Sequence, residues 1–271
     1  MRLRWVHANE ALPDPADALD EPSGLLCAGM DLSAPRLIEA YEAGIFPWYS
    51  EGQPVLWWSP DPRMVLFCEE FRFHRSLKKR SRVLMRDKAW SLRLNQDFPA
   101  VMRACAAPRP GQDGTWITEP MIEAYSQLHL SGRAQSIEVR HGDNLMAGLY
   151  GVSIGRMFFG ESMFTRIADG SKIALAALVA LLVREGFTMI DCQQQTEHLA
   201  LMGARPIPRQ RYLEKIDVLC RLSPPDWSTC QLDCHDSSAR STILNVAVLC
   251  NCTLPLQLPT GKGSAFAGCH T

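Results

Sequence analysis

Apolar and polar positions along this chain fall into blocks, and most blocks predict an element. Leu37, Ile38 and Tyr41 recur at helical spacing behind Ser33, an N-cap residue type, and Pro35; Gly44 stands where such a helix stops. Prolines and aromatics then exclude regular helix over Ile45-Phe46-Pro47-Trp48-Tyr49-Ser50 and Leu56-Trp57-Trp58-Ser59-Pro60-Asp61-Pro62-Arg63. Ile122, Tyr125 and Leu128 behind Glu119-Pro120 predict a helix that closes near Gly132. Residues 136–140 alternate as a strand, 145–154 read as a second and 157–160 as a third. Ser171 is placed to cap an apolar helix over 173–185, residues 188–192 read as a buried strand, and short helices follow around 194–202 and 208–219. A helix, an antiparallel meander, a buried helix and a further strand make a mixed α/β layer.

Composition changes this picture in three places. The 271 residues allow one large domain or two modest ones, and 46% hydrophobic with 21% charged residues excludes collagen-like, coiled-coil and disordered classes. The net charge of −1 means that nucleic-acid binding needs a local patch. Residues 72–93 supply one, with nine Lys/Arg against the single acid Asp87; Arg75, Lys79, Arg82 and Arg86 would line one helical face. A merely solvated face is the competing reading. The last 44 residues, 228–271, hold only Asp233, Asp236, Arg240 and Lys262 as charges and half of the ten cysteines. Cys230, Cys234, His235, Cys250 and Cys252 fit zinc-knuckle spacing poorly, so the segment reads as a disordered or nonnative tail, such as a shifted reading frame would produce. The start Met1–His7 lacks the apolar run of a secretory signal, and residues 173–183 are too few to span a bilayer; a cytoplasmic protein is expected.

Candidate chemistry sits at the ends of the predicted strands: Gly160-Glu161-Ser162-Met163-Phe164-Thr165-Arg166 after one, and Asp191-Cys192-Gln193 closing another. The competing readings are that Glu161 pairs with Arg166 or Lys172 and that Asp191 caps the next helix. A Cys192–His198 nucleophile pair is disfavoured, because Cys192 should point away from Asp191 into the core. There is no GxxxxGK[ST] and no strand followed by GxGxxG, which disfavours chemistry driven by ATP or a dinucleotide.

The order of several long motifs goes further. Glu21-Pro22-Ser23-Gly24, Asp31-Leu32-Ser33, Gly44-Ile45-Phe46-Pro47-Trp48, Trp57-Trp58-Ser59-Pro60-Asp61-Pro62-Arg63, Thr115-Trp116-Ile117-Thr118, Ser136-Ile137-Glu138-Val139, Gly160-Glu161-Ser162-Met163-Phe164 and Ile190-Asp191-Cys192-Gln193 together closely resemble the bacterial leucyl/phenylalanyl-tRNA–protein transferase family over residues 1–227. The resemblance implies a small N-terminal domain (1–65), a larger GNAT-like acyltransferase domain with a mixed sheet (66–227) and an atypical tail (228–271). It implies transfer of Leu or Phe, with Met as a third candidate, from aminoacyl-tRNA to the N-terminal Arg or Lys of an acceptor protein, which marks that protein for degradation. No cofactor, metal or membrane is implied, and nothing demands more than a monomer. It places Asp191 and Gln193 around the amine, with Asp191 as acceptor or orienter and Glu161 as electrostatic support. Trp48, Trp116, Tyr125, Leu149, Phe158, Met163, Thr165 and Ser171 would bind the aminoacyl end, and Arg75, Lys78, Lys79, Arg80 and Arg82 the tRNA backbone. Met30 and Thr196-Glu197-His198 depart from the family's usual residues. A CoA-dependent N-acetyltransferase and a noncatalytic tRNA-binding module are the alternatives; the first would need a glycine-rich loop ahead of residue 173, which is absent.

Overall fold

The computed structural model describes residues 3–108, 115–230 and 232. The expectations for the cysteine-rich tail fall almost entirely outside them. The chain begins with β1 (Arg4–Val6), β2 (Leu25–Gly29), α1 (Ala34–Glu42), β3 (Phe46–Pro47) and β4 (Val55–Trp58). These strands form a four-stranded sheet in the order β1-β2-β4-β3, so the proline-rich aromatic stretch supplies short strands where it forbids helix. β5 (Arg63–Phe67), the basic helix α2 (Arg75–Leu84), β6 (Trp90–Leu94), α3 (Phe98–Ala106) and α4 (Glu119–Leu130) follow. The meander β7 (Ala134–His141), β8 (Asn144–Ile154) and β9 (Met157–Thr165) leads into α5 (Gly170–Arg184), β10 (Met189–Gln193), α6 (Glu197–Leu201), β11 (Arg205–Ile207) and α7 (Arg209–Cys220). The second sheet has seven strands, β11-β5-β10-β9-β8-β7-β6, antiparallel except for β9 with β10. The mixed α/β class expected from the residue pattern is what forms.

Helix α5 is apolar on nearly every side and is buried accordingly, against β7 and β8. On β8, Ala147 and Leu149 face α5, whereas Tyr150, Val152 and Ile154 face the opposite core with α3 and α4. That opposite core also takes in Leu37, Tyr41, Phe46 and Trp57, so the N-terminal sheet and the larger sheet share one packed interior.

Three boundaries differ from expectation. Ser171 does not cap α5: the helix begins at Gly170 behind Asp169, whose φ of 60° places it in the left-handed region. Arg86 lies past the end of α2, so the basic stripe stops at Arg82. Most consequential, β9 does not end at Gly160. It runs on to Thr165 through an irregularity in which Tyr150 pairs with Ser162 and Gly151 with Gly160, leaving Glu161 as the extra residue. A side chain at Gly151 would meet the Phe159 carbonyl at 2.3 Å and the Phe158 ring at 2.5 Å, so this bulge requires glycine. β10 carries a second bulge: Asp191 pairs with Val65 and Gln193 with Met64, leaving Cys192 over, and Gln193 has φ 60°.

Candidate functional site

The parallel strands β9 and β10 pair only at Ile190–Phe158 and Asp191–Phe159. Beyond that point the next rungs of β9 go to β8 and those of β10 to β5, and the gap opens as a cavity of about 940 Å³. The residues of both bulges border it. Each bulge breaks the period-2 alternation and re-aims the side chains next to it, which brings Glu161 and Gln193 together.

Gln193 is held from both sides. Its backbone N–H donates to Asp191 Oδ1 at 2.9 Å and its Nε2 donates to Glu161 Oε1 at 2.7 Å. Asp191 itself has no exposed surface and is bonded on every side. Arg63 Nε and Nη2 reach its two oxygens at 2.8 and 2.7 Å, and the Tyr212 hydroxyl donates at 2.9 Å. Arg63 is equally buried; its Nη1 donates to the Gly44 carbonyl at 3.1 Å, and the rings of Phe46 and Tyr212 each lie 4.7 Å from its guanidinium carbon. Gly44 turns the chain with φ 74° directly after α1 and so aims that carbonyl at the guanidinium. Four donors therefore saturate Asp191, and no oxygen of it is left for a ligand in the cavity.

Glu161 is the contrasting carboxylate. It is half-buried at the cavity wall, and besides Gln193 it accepts from Tyr41 at 2.8 Å and from Tyr125 at 3.3 Å, while those two hydroxyls also bond to each other. Removal from water pushes its carboxyl up to about 7, and the charge on Asp191 adds to this; the bonds from Tyr41, Tyr125 and Gln193 oppose it.

The remaining sequence-derived residues divide cleanly. Trp48, Trp116, Leu149, Phe158, Met163, Thr165 and Ser171 all line the cavity with Glu161 and Gln193, and Asp191 also borders it although it has no exposed surface. Trp48 stands 40% exposed on the rim, and its ring centroid is 5.5 Å from that of Trp58. Leu149, Phe158, Met163, Leu175 and Leu178 make one apolar flank. Tyr125 does not line the cavity: it is fully buried behind Glu161. Cys192 packs against the core around α5, on the side away from Phe46 and Tyr212, as expected, but it is not sealed there. The bulge leaves it half-buried at the cavity, and burial followed by the charge of Asp191 pushes its thiol far above the ordinary range, so it is no thiolate nucleophile. Arg75, Lys79, Arg80 and Arg82 are exposed on α2 and Lys78 is half-buried. Arg80 donates to the Ala168 carbonyl at 3.1 Å and lies 3.8 Å from Asp169, which anchors the basic helix beside the first turn of α5, where Ser171 meets the cavity.

Sequence reasoning missed Arg63, Tyr41 and Tyr212 as site residues. Arg63 lies within a quoted motif and Tyr41 within the predicted helix, but neither carried a signal for its distant partner. Among the described residues, no cluster of His, Cys, Asp and Glu is arranged to hold a metal, and no helix is long and apolar enough to cross a membrane.

Comparison with known proteins adds independent findings. The family profile described as leucyl/phenylalanyl-tRNA protein transferase matches residues 65–217, and the profile for that family's N-terminal domain matches residues 30–61. The leucyl/phenylalanyl-tRNA–protein transferase of Bordetella petrii is 52% identical, with 88% of this chain and 96% of that protein aligned. Its namesakes from Paraburkholderia phymatum and Cupriavidus necator are 53% identical (83% of this chain, 93% of the relative) and 54% identical (79% and 87%).

Proposed function

The chain belongs to the leucyl/phenylalanyl-tRNA protein transferase family, and on that premise we propose that its cavity holds the aminoacyl end of a charged tRNA beside the free N-terminal amine of an acceptor protein. The enzyme is an aminoacyltransferase that moves an amino acid from tRNA to protein. The observation that carries the assignment of roles is the convergence of Trp48, Trp116, Met163, Glu161 and Gln193 on one cavity.

Trp48 and Trp116 offer aromatic faces for the terminal adenosine. The flank of Leu149, Phe158 and Met163 takes the Leu or Phe side chain and disfavours charge, because a buried unpaired charge is costly. Thr165 and Ser171 serve the polar end of the aminoacyl group. Arg75, Lys78, Lys79, Arg80 and Arg82 track the tRNA backbone from beside α5. Residues 1–65 act as the unit that completes one wall, 66–227 as the catalytic unit, and the protein works as a cytoplasmic monomer. The N-terminal Arg or Lys of the acceptor is drawn by the carboxylate at Glu161, and the product is marked for degradation.

The ester of an aminoacyl-tRNA is already activated, so the site has to orient the amine and move one proton. Gln193, with Nε2 committed to Glu161, accepts an amine N–H at Oε1 and turns the lone pair toward the ester carbonyl. Nitrogen bonds to the carbonyl carbon and the carbon–ribose oxygen bond breaks. Glu161 takes the proton the amine loses and returns it to the ribose oxygen. An acid near 7 suits both halves of that exchange. Asp191, saturated by Arg63 and Tyr212, holds Gln193 in register and takes no proton. The test is incubation of the full chain with labelled Leu-tRNA and an Arg-initiated acceptor. Ribonuclease-sensitive leucine transfer supports the reading; acetyl transfer from acetyl-CoA, or tRNA binding without transfer, refutes it.

A further inference from the structure

We infer that Tyr41, contributed by α1 of the N-terminal segment, is a positioning residue for the transfer reaction, acting through Glu161. The inference rests on the preceding assignment of Glu161 as the group that exchanges the proton, and it adds a residue from outside the larger sheet.

Tyr41 is fully buried, and its hydroxyl is wedged between two partners, Tyr125 and Glu161. Its ring is fixed independently of the hydroxyl: Phe159 lies 5.0 Å away centroid to centroid, and Tyr125 meets it edge-on at 6.5 Å. The oxygen therefore has little freedom to find another bond. The proton count gives the arrangement a direction. Tyr41, Tyr125 and Gln193 bring three donors to one carboxylate, and Tyr125 has the Tyr41 oxygen as a second acceptor. With Glu161 charged, every donor has an acceptor. With Glu161 protonated, one more proton enters a cluster already rich in donors. The cluster thus favours the charged form, against burial, and Tyr41 is the closer of its two phenols, at 2.8 Å against 3.3 Å.

The other groups facing Glu161 come from separate elements, and two of them also donate to it, Tyr125 at the longer distance of 3.3 Å. Tyr125 comes from α4 and Gln193 from β10, while Asp191 of β10 repels negative charge at Glu161. Burial, and after it the charge on Glu161, push the Tyr150 hydroxyl of β8 up, with Cys105 of α3 adding to this, and that hydroxyl has no hydrogen-bond partner among the described residues. Arg63 of β5 is paired with Asp191. Tyr41 also shares α1 and its following turn with Gly44, whose carbonyl holds Arg63. One short stretch of chain therefore braces both carboxylates beside Gln193.

The experiment measures transfer from Leu-tRNA against pH for the wild-type chain and for Tyr41→Phe, which keeps the ring. The ratio of the two rates removes the acceptor amine's own titration, which both share. Losing the bond moves the Glu161 midpoint up by about one pH unit. The wild-type to variant ratio is then about tenfold at acid pH and falls to one above the shifted midpoint, with an unchanged KM for charged tRNA and a melting temperature near wild type. Tyr125→Phe shifts the same way by less, and it serves as the test if Tyr41→Phe does not fold. A ratio of one at every pH, a ratio that is constant with pH and accompanied by lost stability, or a larger shift in Tyr125→Phe overturns the inference. Absence of transfer by the wild-type chain defeats the underlying reading instead, so the two failures are distinct.

Discussion

Two carboxylates flank Gln193, one through its backbone and one through its side chain, and their surroundings are opposite. Asp191 is sealed: a buried guanidinium, a buried phenol and a backbone N–H take up its oxygens. Glu161 has neutral partners only among its bonds, borders the cavity and titrates near 7. Environments of this kind separate roles that residue type alone does not. On the proposed reading, the sealed group carries geometry and the open one carries the proton.

The comparison is broken most severely on the sealed side. Asp191→Ala leaves Arg63 charged and buried with one carbonyl and a phenol for company, and removal of one member of such a pair costs about 3–5 kcal/mol. Chemical denaturation should show that loss together with abolished transfer. A wild-type midpoint would mean that the pair is not structural.

On the open side, Glu161→Gln should keep the fold and charged-tRNA binding and slow transfer by about 10²–10⁴-fold, the range for general acid–base groups. Its stability difference from wild type should also depend on pH, with the following sign. The Glu161 carboxyl is at about 7 in the folded chain against a reference of 4.5, so between those values the folded state binds the extra proton. The stabilisation this gives is present below 4.5 and lost as pH rises through 7. Glu161→Gln lacks that loss, so relative to wild type the variant gains stability between pH 5 and pH 8; a gap constant with pH would place the carboxyl in ordinary water.

Smaller effects come from the periphery. Met163→Ala enlarges the apolar flank and should change the Leu-to-Phe preference by about 10–200-fold, the worth of such a volume change, measured as a ratio of kcat/KM. Lys79→Ala, on the exposed basic face, should weaken tRNA binding and reduce the salt slope by about one phosphate's worth, about 0.7–0.9, without touching kcat.

How much of this was legible beforehand follows from the range over which each feature is determined. Helices α1, α4 and α7 and the meander are set by local periodicity, and their residues announce them. The bulges are not local. Gly160 looked like a strand end because the extra residue at Glu161 interrupts alternation, and only pairing with β8 shows the strand continuing. Arg63 sits in a proline-rich aromatic stretch, where a cation normally reads as solvated; its partner Asp191 is 128 positions away. Tyr41 recurs at helical spacing with Leu37 and Ile38, and nothing local shows that its hydroxyl meets Glu161 across 120 positions. The residues around the cavity were reachable from the motifs the family shares. The contrast between the two carboxylates needed coordinates, since it is made by burial and by bonds between distant segments.

That contrast is tested most directly by carbon-13 NMR of the side-chain carboxyls, with the Glu161 resonance assigned as the signal missing from Glu161→Gln. The account predicts a midpoint near 7 for that carboxyl in the intact chain. A midpoint at the ordinary glutamate value of about 4.3 would contradict it, because Glu161 could then no longer be the group poised to take and return the amine's proton.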